Sequence, residues 1–109
     1  MSLPRELKCV AVKELLEGSE KPLLLDVRNP DEHEYCALPG SVLIPLHELP
    51  DRLDELEEEK ARTIVVYCHH GVRSLSGAAF LNANGFVATS MRGGIEAWSR
   101  EIDPAVPTY

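Results

Sequence analysis

The chain has 109 residues, of which 44% are hydrophobic and 27% are charged, and its formal net charge is −7. This length suits one hydrophobic core, so we expect residues 1–109 to form a single domain. The acidic balance argues against nucleic acid and anionic membranes as partners, and neither a long apolar segment nor a secretory signal is evident.

The first half of the chain alternates between strand-like and helix-like segments. Residues 10–12 predict a short edge strand, and residues 13–17 predict a helix that Gly18 ends. The continuous apolar run 23–27 is typical of a strand that is buried on both faces. Asn29 or Asp31 is a candidate N-cap for a short helix that reaches Tyr35, and residues 41–44 predict a brief strand.

The second half continues this alternation. Four leucines at spacings of three and four predict one apolar helix stripe, while the acidic residues between them form a solvated face; the leucines are Leu46, Leu49, Leu53 and Leu56. Strands are expected at 64–67 and 86–90, and helices at 74–84 and 95–100. One face of the 74–84 helix is small enough for close packing on the sheet. The order of elements predicts an α/β fold, with a parallel sheet covered by helices on both faces.

The segment from Tyr67 to Ser74 joins a predicted strand to a predicted helix and contains the most informative motif. Backbone N–H groups converge at such a junction, and the positive end of the helix dipole favours the thiolate of Cys68. Gly71 can turn successive N–H groups inward, and Arg73 adds a fixed positive charge. Ser74 can cap the helix or donate to the sulfur. This pattern predicts an enzyme with a cysteine nucleophile that acts on an anionic or sulfur-bearing substrate.

Other interpretations of the cysteine and histidine residues carry less weight. A buried cysteine is often only a small apolar side chain, but the glycine and arginine that follow Cys68 favour catalysis. His69 and His70 can tune the thiol or form the rim of a pocket. Adjacent histidines are expected to point apart, and no third ligand lies nearby in sequence, so we predict neither a metal ion nor a cofactor. The other two cysteines, Cys9 and Cys36, lack metal-ligand spacing, and reduced thiols predict a cytoplasmic protein.

Four blocks of sequence, in this order and spacing, resemble a rhodanese domain over nearly the whole chain. They are Leu24-Leu25-Asp26-Val27-Arg28, Pro39-Gly40-Ser41, the run from Cys68 to Ser74, and Gly93-Gly94-Ile95-Glu96-Ala97-Trp98. The closing residues 102–109 are similar to rhodanese domains fused behind enzymes that activate small sulfur-carrier proteins.

The resemblance implies a three-layer fold, with a five-stranded parallel sheet flanked by helices, and a sulfurtransferase activity. Cys68 would attack the outer sulfur of thiosulfate or a related donor, and would pass that sulfur from a persulfide to a thiol or a sulfur-carrier protein.

The resemblance also assigns roles to individual residues. The loop N–H groups from His69 to Ser74, which include those of His70, Gly71 and Val72, would stabilise the persulfide. Arg73 would bind the donor's oxyanions, and Arg28 would add a second positive charge at the mouth. Asp26 would either hold the loop or Arg73 by hydrogen bonds, or serve as an ordinary acid at a strand end.

The chain departs from the family pattern before Pro39, where Cys36-Ala37 replaces a glycine–histidine pair that many members carry. A packing role for Cys36 is favoured over a second thiol that resolves the persulfide. Cys9 is expected to be structural, and Trp98 is expected to pack the last helix onto the sheet.

Two rival functions remain open. A cysteine phosphatase or arsenate reductase on the same fold would need a wider loop, since the related phosphatases place one more residue between cysteine and arginine than the four found here. A non-catalytic rhodanese-like interaction module is the second rival, but such modules typically lose the cysteine.

Overall fold

A computed structural model describes residues 3–109 of the chain. Its five strands are all parallel and lie in the order β1-β5-β4-β2-β3. The strands are β1 (Glu6–Leu7), β2 (Leu23–Asp26), β3 (Val42–Leu43), β4 (Thr63–Tyr67) and β5 (Val87–Met91). The helices are α1 (Cys9–Glu17), α2 (Pro30–Tyr35), a 3₁₀ segment (Leu46–Glu59), α3 (Arg73–Ala83) and α4 (Gly94–Glu101). The predicted α/β fold with a five-stranded parallel sheet is confirmed.

The sheet separates two apolar clusters, because successive side chains of a strand point to opposite faces. In β2, Leu23 and Leu25 join a cluster with α3 and the 3₁₀ segment, whereas Leu24 joins a cluster with α1 and α4. Trp98 lies in the second cluster and is only 7% exposed, so its predicted packing role is confirmed. Within residues 3–109, no helix combines the length and apolar character that a membrane crossing requires.

The predicted edge strand at residues 10–12 is wrong. These residues belong to α1, and the edge strand is formed instead by Glu6 and Leu7. Val12 is fully buried while Val10 is 52% exposed, and Cys9 is buried with Val12. Buried residues three positions apart, here Cys9 and Val12, are typical of a helix. This pattern outweighs the strand preference of the two valines.

The acidic segment after β3 is helical, as predicted, but its hydrogen bonding is of the 3₁₀ type. Pro50 lies inside it and cannot donate a backbone hydrogen bond, and Arg52 departs from helical geometry with φ −122° and ψ 17°. Leu49 and Leu56 are buried in the core, so the predicted apolar stripe faces the sheet.

The centre of the sheet determines where the site forms. β4 lies between β2 and β5, so residues that follow these three strands meet at one edge of the sheet, which is where ligand sites of open α/β sheets form. α3 packs closely beneath this edge, since a Cβ on Gly77 would lie 3.3 Å from Cγ1 of Val66. The small face predicted for this helix is buried, and it comprises Ser74, Gly77, Ala78 and Leu81.

Candidate active site

The sulfur of Cys68 lies at the end of β4, inside a turn of backbone N–H groups. The N–H of Gly71 donates to Sγ at 3.2 Å and that of Ser74 donates at 3.3 Å. The hydroxyl oxygen of Ser74 lies 3.4 Å from the sulfur and 2.7 Å from the hydroxyl oxygen of Ser90. Cys68 is only 1% exposed. The strand-to-helix junction thus directs backbone N–H donors and the Ser74 hydroxyl at this one sulfur.

The outer side of the cysteine loop is held by the start of α4. The carbonyl of Cys68 accepts a hydrogen bond from the N–H of Ile95 at 2.9 Å, and the carbonyl of His69 accepts one from Glu96 at 3.1 Å. Gly71 has φ +93°, and a Cβ there would lie 2.9 Å from the backbone nitrogen of Gly93. The Gly93-Gly94 turn therefore packs directly against the cysteine loop, because only glycines permit the two backbone segments to approach so closely.

Gly94→Ala should displace this loop. A Cβ on Gly94 would overlap the carbonyls of Cys68 and His69, and φ at this position is +64°. We expect a loss of at least about tenfold in the reactivity of the Cys68 sulfur and about 2 kcal/mol of stability, measured by alkylation with iodoacetamide and by urea unfolding.

Gly40→Ala is the matched control for this substitution. Gly40 has φ +77°, but a Cβ there would meet nothing within 4 Å. Gly40→Ala therefore reports the backbone strain alone. Equal losses in the two variants would contradict the role assigned to the turn at residues 93–94.

Arg73 forms an ion pair with Glu32 from α2. Its two terminal nitrogens contact the two carboxylate oxygens of Glu32 at 2.8 and 3.0 Å. The hydrogen bonds from Arg73 are the main reason that the pKa of Glu32 falls to about 2, although burial opposes this shift. The carboxylate therefore adds stability above its ordinary pKa of 4.5, which is lost as the pH falls towards 2. The sequence suggested Asp26 as a partner of Arg73, and this suggestion is wrong.

Asp26 instead pairs with Arg28 in the interior. The Arg28 side chain is 0% exposed, and its Nε and Nη2 atoms donate to the two carboxylate oxygens of Asp26 at 2.8 and 2.7 Å. Nη2 also donates to the carbonyl of Cys36 at 2.6 Å, and Nδ1 of His33 lies 2.8 Å from Asp26. Burial disfavours the charged guanidinium, but the hydrogen bonds to Asp26 and Tyr109 raise the pKa of Arg28.

Arg28 is consequently not the second positive charge at the mouth that the sequence predicted. A fully buried guanidinium that faces its own carboxylate presents no exposed donor to an anion. Arg28 and Asp26 form a structural pair that ties the end of β2 to the segment after α2, which fits the alternative expectation for Asp26, an ordinary acid at a strand end.

The two histidines lie together on the rim of the loop. Their rings stack at 3.8 Å with an angle of 28°, so the expectation that they point apart is wrong. Burial is the main reason that the pKa of His69 is lowered, which favours its neutral form. Glu96 lies near both histidines, and one ligand atom from each of the three residues falls within 4.8 Å of the others. These three residues are the ones that could hold a metal ion here.

Tyr109, like Glu32, is a site residue that the chemical motifs of the sequence did not identify. Its ring stacks on His69 at 3.8 Å with an angle of 5°. Its hydroxyl donates to Glu32 at 2.7 Å and accepts from Nη1 of Arg28 at 2.9 Å. Residues 102–109 reach this position across the surface, and the hydroxyl of Ser99 donates to the carbonyl of Val106 on the way. The resemblance of this tail to one group of rhodanese domains was the only signal for it.

The remaining predicted residues take simpler positions. Val72 lies at the tip of the loop and is 73% exposed. Cys36 is 9% exposed, and its sulfur lies 3.7 Å from the carbonyl of Pro107, in agreement with a packing role. Cys9 is also buried, and burial is the main reason that its pKa rises to about 11, so it remains a neutral thiol. These placements leave Cys68 as the one cysteine in the described chain whose sulfur accepts backbone N–H donors.

Comparison with known proteins gives a consistent result. The model of the rhodanese-like domain family matches residues 11–101. A protein of Allochromatium vinosum named sulfurtransferase is 33% identical over 102 residues, which cover 93% of this chain and 94% of that protein. The solved structure of a rhodanese-like domain protein from Staphylococcus aureus superposes with a TM-score of 0.82 at 28% identity, covering 97% of this chain and 99% of that one.

Some relatives are much longer than this chain. The Arabidopsis thaliana protein named adenylyltransferase and sulfurtransferase MOCS3 is 35% identical over 112 residues, which cover 89% of this chain but only 24% of that protein. The match to the family model spans most of the chain and includes the cysteine loop and the turn that supports it. The chain therefore belongs to the rhodanese-like domain family.

Proposed function

We propose that this protein is a sulfurtransferase that carries sulfur as a persulfide on Cys68. The observation that carries the proposal is the pair of N–H groups, from Gly71 and Ser74, that point at the sulfur of Cys68. Such donors favour the thiolate as the attacking group and can stabilise the negative charge of a persulfide. Relatives named sulfurtransferase support the same reaction class.

The reaction proceeds in two displacements. The Cys68 thiolate attacks the outer sulfur of thiosulfate, and the bond between the two donor sulfurs breaks with its electron pair leaving on sulfite. The persulfide of Cys68 retains the transferred sulfur and one negative charge. A nucleophilic acceptor then attacks the outer sulfur of that persulfide and restores the thiolate, so cyanide in an assay leaves as thiocyanate.

The residues around Cys68 would divide the remaining work. The amides of the loop from His69 to Ser74 would hold the persulfide. Arg73, the arginine of this loop, would provide a positive charge. The side chains of His69, His70 and Val72 form the rim that a donor or acceptor must pass.

The tail at residues 102–109 and the three cysteines support a proposed sulfur acceptor and a proposed cellular compartment. A thiol or a sulfur-carrier protein is the proposed acceptor, supported by relatives that combine adenylyl transfer with sulfur transfer. The three free cysteines suit a reducing compartment, and we place residues 1–109 there as one cytoplasmic domain.

Phosphatase chemistry fits the loop less well than sulfur transfer does. Four residues separate Cys68 from Arg73, one fewer than in the related phosphatases. A phosphatase requires its loop amides to enclose three oxygens of a tetrahedral anion. The shorter loop leaves room for the single outer sulfur of a persulfide better than for a phosphate, which favours sulfur transfer.

An activity comparison tests this proposal. The protein is assayed with thiosulfate and cyanide for thiocyanate, and in parallel with an aryl phosphate for phosphate release. We expect thiocyanate formation and no phosphate release above that of a Cys68→Ser control. Phosphate release without thiocyanate would assign the loop to the phosphatase class instead.

A further inference from the structure

Each cation that approaches the cysteine loop from β2 or α3 is already neutralised by a carboxylate. Arg73 is paired with Glu32 through two contacts, and Arg28 is paired with Asp26 in the same manner. On the α4 side, Glu96 lies 3.9 Å from the ring of His69 and is itself paired with Arg100 at 2.7 Å. The two arginines that the motifs place at the site, Arg73 and Arg28, therefore offer no uncompensated positive charge to a small dianion such as thiosulfate.

Glu32 is the carboxylate that most directly affects donor binding, because it faces the arginine of the loop itself. Three separate groups hold it in place. Arg73 binds both of its oxygens, the hydroxyl of Tyr109 donates to Oε2 at 2.7 Å, and the backbone N–H of Asn29 donates to Oε1 at 3.0 Å. The carboxylate is only 15% exposed and so cannot turn away easily. Its negative charge is thus a fixed part of the site.

We propose that Glu32 determines which sulfur donors the site accepts, by disfavouring dianions and favouring donors with at most one negative charge. The donor class that fits is a hydropersulfide of a small or protein-borne thiol. This inference rests on the proposed sulfurtransferase function and specifies its substrate.

The transfer from such a donor balances without any further reactant. The Cys68 thiolate attacks the terminal sulfur of the hydropersulfide R–S–SH. The S–S bond of the donor breaks, its electron pair leaves on the thiolate R–S⁻, and Cys68 becomes the hydropersulfide. The loop amides that hold the sulfur serve this donor as well as thiosulfate, so only the charge requirement at Arg73 differs.

Glu32→Gln tests the proposal, because glutamine keeps the size and an acceptor oxygen but removes the charge. The measured quantity is the ratio of kcat/KM for thiosulfate to kcat/KM for 2-hydroxyethyl hydropersulfide. We expect this ratio to rise about tenfold, which is the effect of one unit charge on a dianion about 6 Å away in a water-like dielectric. The rise should shrink with added salt, since mobile ions screen the repulsion.

Glu34→Gln is the matched control. Glu34 lies on the same helix and is exposed, so its substitution removes the same charge away from Arg73. We expect its donor ratio to remain within twofold of that of the unmodified protein. An unchanged or lowered ratio in Glu32→Gln, or an equal rise in both variants, would overturn the proposal.

A second measurement does not depend on sulfur transfer. Cys68 is alkylated with iodoacetate, which is anionic, and with iodoacetamide, which is neutral, and peptide mass spectrometry gives the two rates. Glu32→Gln should raise the ratio of the iodoacetate rate to the iodoacetamide rate severalfold, and an unchanged ratio would refute the role of Glu32. Absence of a Cys68 persulfide with either donor in the unmodified protein would instead refute the proposed function.

Discussion

Replacing Cys68 with alanine is expected to reduce sulfur transfer by at least about a thousandfold, to the level of the uncatalysed reaction, because no other group can hold the transferred sulfur. The fold should persist, since alanine fills most of the space of a small side chain that is packed among apolar residues of the core. The stability cost should be about 1 kcal/mol, from the lost contacts of one sulfur atom. Thiocyanate formation and urea unfolding measure the two quantities.

Cys36→Ala is the control for this experiment. Cys36 is buried like Cys68, but it lies in the other apolar cluster and packs against the tail. We expect it to retain most of the activity at a similar cost in stability. Sulfur transfer that survives in Cys68→Ala and is lost in Cys36→Ala would identify Cys36 as the nucleophile. The roles assigned above to the loop around Cys68 would then be wrong.

Arg73→Ala should raise the KM for thiosulfate by about tenfold. The substitution removes the loop's positive charge and leaves the carboxylate of Glu32, only 15% exposed, without its ionic partner. The size of the effect is that of one unit charge on a dianion about 6 Å away in a water-like dielectric. Initial rates over a range of thiosulfate concentrations separate KM from kcat.

Arg52→Ala is the control variant, because Arg52 forms a similar ion pair outside the cysteine loop. Arg52 forms a two-nitrogen contact with Glu55 and is 34% exposed, close to the 35% of Arg73, but it lies on the 3₁₀ segment. Thiosulfate kinetics should be unaffected there, because Arg52 is not part of the cysteine loop. A KM that is insensitive to Arg73→Ala would rule out its part in donor binding.

Much of the fold is predictable from local patterns in the sequence. The apolar runs that become β2 and β4 are continuous because both strands are buried on both faces. The strand-to-helix junction at Cys68 and the glycines at 71, 93 and 94 signal the loop, since few other residues tolerate such close backbone contacts. The convergence of amides on Cys68 is therefore predictable from residue types and their spacing.

The charge balance of the site could not be predicted in the same way. Glu32 and Arg73 are 41 residues apart, and Tyr109 is 77 residues from Glu32, so no local spacing reveals that they meet. The motif places Asp26 and Arg28 at a strand end, but their burial depends on how α2 and the tail cover them. An arginine in a motif indicates a charge, and only the fold shows which carboxylate neutralises it.

The sulfur of Cys68 should become a persulfide when the protein is given a sulfur donor. The most direct measurement is the intact mass of the protein after incubation with a sulfur donor, with peptide mapping after alkylation. An added mass of one sulfur atom on the peptide that contains Cys68, removed by cyanide and absent from Cys68→Ala, is the predicted result. A protein that gains no sulfur from either thiosulfate or a hydropersulfide, or gains it on Cys9 or Cys36, would contradict the account.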